Sequence, residues 1–380
     1  MPHEVYLKNL ERISFKENSD LPTDWQKAIA AEGRRVLKDV LEPRELSDRL
    51  ILLVGGGGYI GVPVTTYLLS RGYRVRCQDI FVYGNDEAVG SLLGEPNYEF
   101  MRGDVANSKD REAALKDVTD VIILAGLVGD PITKKYPSEH QTINEQALND
   151  FIASLDGRGL NKVIMVSTCS NYGEIPPDTL ADENYPLKPL SLYATAKVAR
   201  ERQILAGDNK VDYTATVMRF STAFGLSARM RFDLTVSEFC RELFTGKDLE
   251  VYDADTWRPY CHVRDFARAL VRVLEAPRKE VAFQVFNAGG DRNNFTKKMI
   301  VEAILRQIPD GRVAYVAGGA DKRNYKVDFS KIRSALLFEP AYSVEDGITE
   351  LLEALREGFF RDYDKHRDHY GNYKLDYPPS

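Results

Sequence analysis

The chain has 380 residues, a formal net charge of −6 and 43% hydrophobic residues. That suffices for two domains, or for one large α/β domain with an added lobe. The acidic balance argues against a nucleic-acid or anionic-membrane partner. No run is long and apolar enough to read as a transmembrane helix. The four cysteines, Cys77, Cys169, Cys240 and Cys261, are far apart and show neither disulfide nor metal-ligand spacing. They read as reduced thiols of a cytoplasmic protein with no metal site. The first residues lack a basic segment followed by an apolar run, so no signal peptide is expected.

In chain order, residues 1–47 form an N-terminal extension. Within it, 25–41 has the spacing of an amphipathic helix, with Trp25, Ile29, Val36 and Leu37 on one side. Apolar strands follow at 51–54, 73–77, 120–125, 162–167 and 213–219, with helical segments between them. Such alternation predicts a parallel sheet covered on both faces, a doubly wound α/β fold. Beyond it the pattern becomes irregular, with helical stretches at 233–245, 295–307 and 344–357. The predicted organisation is a Rossmann-type domain over 48–218 with return segments near 258–290. A smaller C-terminal lobe takes 219–257 and 291–362. The tail 363–380 reads as an extended surface segment.

Leu52-Leu53-Val54-Gly55-Gly56-Gly57-Gly58-Tyr59-Ile60-Gly61 is a buried strand, a glycine turn and a helix start. Gly55 permits a tight turn, Gly58 a close approach of backbone to phosphates, and Gly61 close helix–sheet packing. A helix N-terminus adds free N–H groups and a positive dipole end for a pyrophosphate. Asp79 ends the next strand, 18 residues after Gly61, near the ~20-residue offset of a carboxylate that holds the adenosine ribose. It would repel a 2′-phosphate, which favours NAD over NADP.

Tyr193 and Lys197 stand four residues apart, on one face if helical. A nearby ammonium is expected to lower the phenol pKa toward working pH. Such a tyrosine can accept a proton from a substrate hydroxyl while hydride leaves for the cofactor. The strand end Val166-Ser167-Thr168 precedes Cys169-Ser170-Asn171-Tyr172-Gly173 and faces the ligand crevice of a parallel sheet. Thr168 can place the substrate oxygen there, with Ser167 and Ser170 as competing hydroxyls. Cys169 reads as a small buried residue rather than a nucleophile.

Together these motifs resemble the extended short-chain dehydrogenase/reductases, and within them the NAD-dependent nucleotide-sugar epimerase/dehydratase group. The resemblance runs from about 50 to about 355. It takes in Arg102-Gly103-Asp104-Val105, Leu124-Ala125-Gly126-Leu127-Val128-Gly129 and Asn144. It also takes in Arg258-Pro259-Tyr260, Phe286-Asn287-Ala288-Gly289-Gly290 and Asp321-Lys322-Arg323-Asn324-Tyr325. It implies Thr168, Tyr193 and Lys197 as the catalytic triad. For the cofactor it implies the turn Gly55, Gly58, Tyr59, Ile60 and Gly61, then Asp79. Asp104 and Val105 would flank adenine, Leu124, Ala125 and Gly126 would lie under the nicotinamide ribose with Asn144, and Tyr193 and Lys197 would complete the set. Arg258 and Arg323 would hold a sugar-nucleotide diphosphate, a role that suits guanidinium forks.

The chain departs from the family pattern at several positions. Val54 and Gly126 replace commoner residues, and Thr222 stands where many members carry an Asn that touches the substrate phosphate. Cys169 and Ser170 occupy the positions where the usual 4,6-dehydratases carry an Asp-Glu pair. Elimination of water needs an acid and a base, so a sugar-nucleotide epimerase or 4-dehydrogenase is favoured, with a dehydratase or ketoreductase as the alternative. A non-catalytic NAD-binding regulator would have lost the triad. The run 219–234, with Arg229 and Arg231, is similar to a subgroup containing GDP-heptose 4-dehydrogenases. Those two arginines read either as extra contacts to an anionic substrate or as part of an interdomain loop. Analogy within this kind of enzyme suggests a homodimer.

Overall fold

The computed structural model describes residues 48–176, 178–319 and 321–378. The helix expected at 25–41, with the rest of the N-terminal extension, lies outside the described residues. The centre is a seven-stranded sheet. Its strands are β1 (Leu50–Val54), β2 (Arg74–Asp79), β3 (Tyr98–Arg102), β4 (Asp120–Ile123), β5 (Lys162–Thr168), β6 (Thr214–Phe220) and β7 (Gln284–Ala288). Their spatial order is β7-β6-β5-β4-β1-β2-β3 and every pairing is parallel. The edge strands β3 and β7 were not among the expected ones. Tyr98–Arg102 is half-exposed and carries charges, so it lacks the continuous apolar run of a central strand.

Alternation of side chains divides the core. Ile51, Leu53, Ile122 and Ile164 point to the face covered by α1 (Gly61–Ser70) and a later helix, Val263–Glu275. Leu50, Leu52, Val54, Val121, Ile123, Val163 and Met165 point to the other, where Leu148, Phe151 and Ile152 pack. α2 (Leu192–Leu205) covers this second face with Ile204. The chain leaves β1 toward β2 on one side and returns to β4 on the other. That reversal opens a crevice above the carboxyl ends of β1 and β4.

A separate apolar cluster builds a smaller body beside the sheet. α3 (Thr235–Phe244) contributes Val236, Phe239, Cys240 and Leu243, spaced to share one helix face. α4, the helix Val263–Glu275, belongs to the sheet. α5 (Lys297–Leu305) and α6 (Val344–Arg356) complete the second cluster with Ile300, Ile304, Ile348 and Leu352. Among the described residues no helix is long and apolar enough to cross a membrane.

The C-terminal segment differs from the surface tail expected for it. Asn372 and Leu375 are each only 8% exposed, and Leu375 packs with Leu127, Ile132 and Ile143. Aromatic and amide side chains give this stretch partners that its high polarity conceals.

One ion pair joins the elements that matter most. Glu201 on α2 is 2% exposed and meets Arg219 of β6 at 2.8 Å. The same carboxylate accepts from Asn171 Nδ2 at 2.7 Å and from the Ser167 hydroxyl. Removing one partner of a buried pair strands the other. Glu201→Ala is therefore expected to lower stability by about 3–5 kcal/mol, read from urea unfolding. A double Glu201→Met, Arg219→Met chain should recover most of that loss, and failure to recover would remove the ion pair as the cause.

Candidate active site

The crevice is a cavity of about 490 Å³ that runs from the glycine turn to the smaller body, within the usual range for small-molecule sites. At one end the strand β1 breaks at Gly55, whose φ of +82° suits glycine. A Cβ there would stand 2.7 Å from the Ala125 backbone. A Cβ on Gly61 would collide with the Gly56 carbonyl. At Gly58 the nearest atom would be the Gly55 carbonyl at 3.5 Å, so the outer side of the turn stays open. Ile60 gives α1 no side-chain cap, and its first turn carries no acid. The amides there are left for an anion. Tyr59 donates to Gly225 O at 2.6 Å and ties the turn to the smaller body. Ile60 packs between the two apolar clusters.

Asp79 accepts from Gly57 N at 2.9 Å and from Phe81 N at 2.8 Å. Burial raises its pKa, and these amides pull it back. It lines the cavity with Asp104, Val105, Leu124, Ala125 and Gly126. Asn144 braces Leu127 from both sides, accepting from its N at 2.7 Å and donating to its O at 2.9 Å. Its carboxamide is thus spent on holding this segment. A Cβ on Gly126 would lie 2.9 Å from Asn144 Oδ1, which accounts for glycine at that position. These features, a cradle that side chains would fill and an uncapped helix start beside a carboxylate, fit a dinucleotide.

At the other end, α2 begins at Ser191, which accepts from Ala194 N at 3.2 Å. The helix carries Tyr193, Lys197 and Glu201 on its buried face. Lys197 Nζ donates to Val166 O at 2.8 Å and sits 5.9 Å from the centre of the Tyr193 ring. Burial holds its pKa down at about 8. The three candidate hydroxyls now separate. Ser167 is engaged with Glu201 and Asn171. Ser170 pairs with the Tyr325 hydroxyl at 3.2 Å. All three border the cavity, and Thr168 is the one that interacts with the Tyr193 phenol. Cys169 is buried, and its thiol points to Arg219 O at 3.2 Å.

One expectation, the direction of the Tyr193 pKa, differs from the structure. Lys197 was expected to bring the Tyr193 phenol down toward working pH. In this structure burial pushes the phenol well above its usual range, against smaller opposite pulls from Arg231 and Thr168. The lysine is turned to a backbone carbonyl instead. Arg229 and Arg231 also line the cavity, each with protein partners of its own. Arg231 forks onto Asp233 at 2.6 and 2.9 Å. Arg229 holds the C-terminal segment through Gly371 O at 3.3 Å and Asn372 Oδ1 at 2.8 Å.

Arg258 and Arg323 do converge. Asp321 joins them, 3.1 Å from Arg258 and 2.7 Å from Arg323. The two cations hold its carboxyl far below the ordinary range, against the opposing effect of burial. Arg323 also meets Asp130 at 3.2 Å. Thr222 also lines the cavity. Asp321 and Asp130 were not assigned as site residues, although Asp321 opens a segment already singled out. Asp130 Oδ1 is buried without a hydrogen-bond partner. Among the described residues no group of three or more His, Cys, Asp or Glu side chains is placed to hold a metal ion.

The family model described as the NAD dependent epimerase/dehydratase family matches residues 51–289. Among similar curated proteins is a dTDP-glucose 4,6-dehydratase of Actinoplanes sp., 28% identical, aligned over 79% of this chain and 95% of its own. A UDP-glucuronate 4-epimerase of Thermodesulfobacterium geofontis is 24% identical over 80% of this chain and 96% of its own. Among solved structures, a dTDP-glucose 4,6-dehydratase of Bacillus anthracis in complex with NAD superposes with a TM-score of 0.72 at 26% identity. It covers 82% of this chain and 97% of that one. A UDP-glucuronic acid 4-epimerase of Bacillus cereus, in complex with UDP-glucuronic acid and NAD, has a TM-score of 0.74 at 22% identity, over 81% of this chain and 99% of that one. A parallel sheet of this order, its glycine turn and the match over 51–289 lead to one conclusion: the chain belongs to the NAD dependent epimerase/dehydratase family.

Proposed function

We propose that the protein is an NAD-dependent nucleotide-sugar epimerase/dehydrogenase that oxidises a sugar hydroxyl, at C4, to a ketone. The carrying observation is that Thr168, Tyr193 and Lys197 border the same cavity as the glycine turn and the Arg258–Arg323 pair. Relatives named for UDP-glucuronate and dTDP-glucose support a nucleotide sugar as substrate class. The turn 55–61 with Asp79 would hold the dinucleotide, and the open side of Gly58 suits its pyrophosphate. Bound there, NAD supplies the hydride acceptor. Arg258 and Arg323 would exchange Asp321 for the substrate diphosphate, a bidentate match. Thr168 Oγ1 places the sugar hydroxyl, and Tyr193 Oη accepts its proton. With its pKa held high, the phenol needs added positive charge to act as a base, and a nicotinamide cation provides it. Lys197 would hold the nicotinamide ribose. The ketone is then either reduced on its other face or released.

A 4,6-dehydratase is the second reading, and the relatives so named favour it. Against it stand Cys169, buried and uncharged, and Ser170, paired with Tyr325. Intact Thr168, Tyr193 and Lys197 argue against a non-catalytic regulator. Four buried free cysteines support a reducing, cytoplasmic setting. Analogy within this kind of enzyme supports a homodimer through helices of the NAD-binding domain.

Three outcomes are expected. Tyr193→Phe should cut turnover by about 10²–10⁴-fold while NAD still binds, measured by isothermal titration beside a product assay. Asp79→Ala should weaken NAD binding and relax rejection of NADP; an unchanged preference between the two would remove Asp79 from that role. Gly61→Ala should weaken NAD binding by about tenfold or more, because the clash is with backbone that cannot turn aside. Full affinity in that variant would contradict the cradle.

A further inference from the structure

The segment Asn372–Pro378 has no role in the chemistry above, yet it is fixed across the cofactor end of the cavity. It is tied to both banks. On the β2–β3 side, Asp376 N donates to Val82 O at 2.8 Å and the Tyr377 hydroxyl donates to Asp104 Oδ2 at 2.9 Å. On the β4 side, Asn372 Nδ2 donates to Val128 O at 2.9 Å and Lys135 Nζ donates to Tyr373 O at 3.0 Å. Between the banks, Arg229 is buried and grips Asn372 Oδ1. Just upstream, Asn85 Nδ2 donates to His369 O at 2.6 Å. Leu375 and Tyr377 add apolar cover with Val82, Tyr83 and Tyr136. Asn372, Tyr373 and Tyr377 all line the cavity together with Gly55, Asp79 and Asp104.

We infer that this C-terminal segment is part of the dinucleotide site: Tyr377 is a cofactor-positioning residue at Asp104, and the segment is a strap that keeps NAD from exchanging. The inference rests on the NAD-dependent reading above. Asp104 has both oxygens engaged, Oδ1 by Ala106 N at 2.8 Å and Oδ2 by Tyr377. Tyr377 thereby fixes the carboxylate expected to flank adenine and presents an aromatic ring beside it. Purine faces stack on such rings. A ligand that reaches from Asp104 to Tyr193 must pass between the two banks that the strap joins. Its escape then requires the strap to detach, at the cost of buried hydrogen bonds and apolar contact. A cofactor retained in this way suits a reaction that restores it within each turnover. An enzyme that released a ketone would have to exchange its cofactor every time. The strap therefore weights the proposed activity toward epimerisation.

The test is the dissociation rate of radiolabelled NAD from the full chain, chased with excess unlabelled NAD. Two variants are compared: a chain ending at Tyr370, and Tyr377→Ser. Circular dichroism melting checks that each is folded. The expected result is release faster by about tenfold or more in both, the scale of a lost hydrogen bond to a carboxylate with its cover. Tyr377→Phe should fall between. Release at the rate of the full chain in folded Tyr377→Ser and in the shortened chain overturns the strap and leaves the enzymatic reading intact. If the folded full chain binds no NAD, the reading beneath the inference fails as well.

Discussion

The buried contact between Glu201 and Arg219 sets the geometry on which the site depends. A carboxylate that deep is tolerable only when fully paired. Here its partners are fixed on three elements: Arg219 on β6, Ser167 on β5 and Asn171 in the short helical turn Cys169–Tyr172 that follows it. Satisfying Glu201 locks α2 in rotation against the sheet. Because Tyr193 and Lys197 lie two turns and one turn before it on the same face, they are aimed at the crevice where Thr168 ends its strand. The pair thus spends its charge on placement rather than on chemistry.

A second set of charges has the opposite character. Arg258, Arg323, Asp321 and Asp130 form a chain of ion pairs at the edge of the cavity, more exposed than Glu201. Two cations share one carboxylate, a combination that a diphosphate can replace with little rearrangement. Burial in the same cavity pushes the Tyr193 phenol further above its ordinary range. In the proposed reaction the ligands' charges complete the site: positive charge to activate the tyrosine and negative charge to release Asp321.

Much of this was legible in the sequence, and the misses have physical causes. Central strands announced themselves because burial on both faces demands continuous apolar runs, as in Leu50–Val54. The charged edge strand Tyr98–Arg102 obeys no such demand and went unread. The glycine turn and the Tyr193/Lys197 spacing were readable because backbone geometry and helix pitch are local. What was not local was misjudged. Nothing near Tyr193 in sequence tells that burial raises its pKa while the lysine turns to Val166 O. Nothing near Arg229 tells that its partners are Asn85 and Asn372, 144 and 143 residues away. A polar tail gives no sign that it is seated under an arginine and against an aspartate.

The most direct test is the mass and retention of the product when the intact protein, with NAD, meets a panel of UDP-, dTDP-, GDP- and CDP-sugars. The account predicts a product of unchanged mass and shifted retention, or, if the ketone is released, one lighter by two hydrogens. Loss of water would contradict the inference drawn from Cys169 and Ser170. No conversion of any sugar by folded, NAD-loaded protein would contradict the proposed chemistry itself.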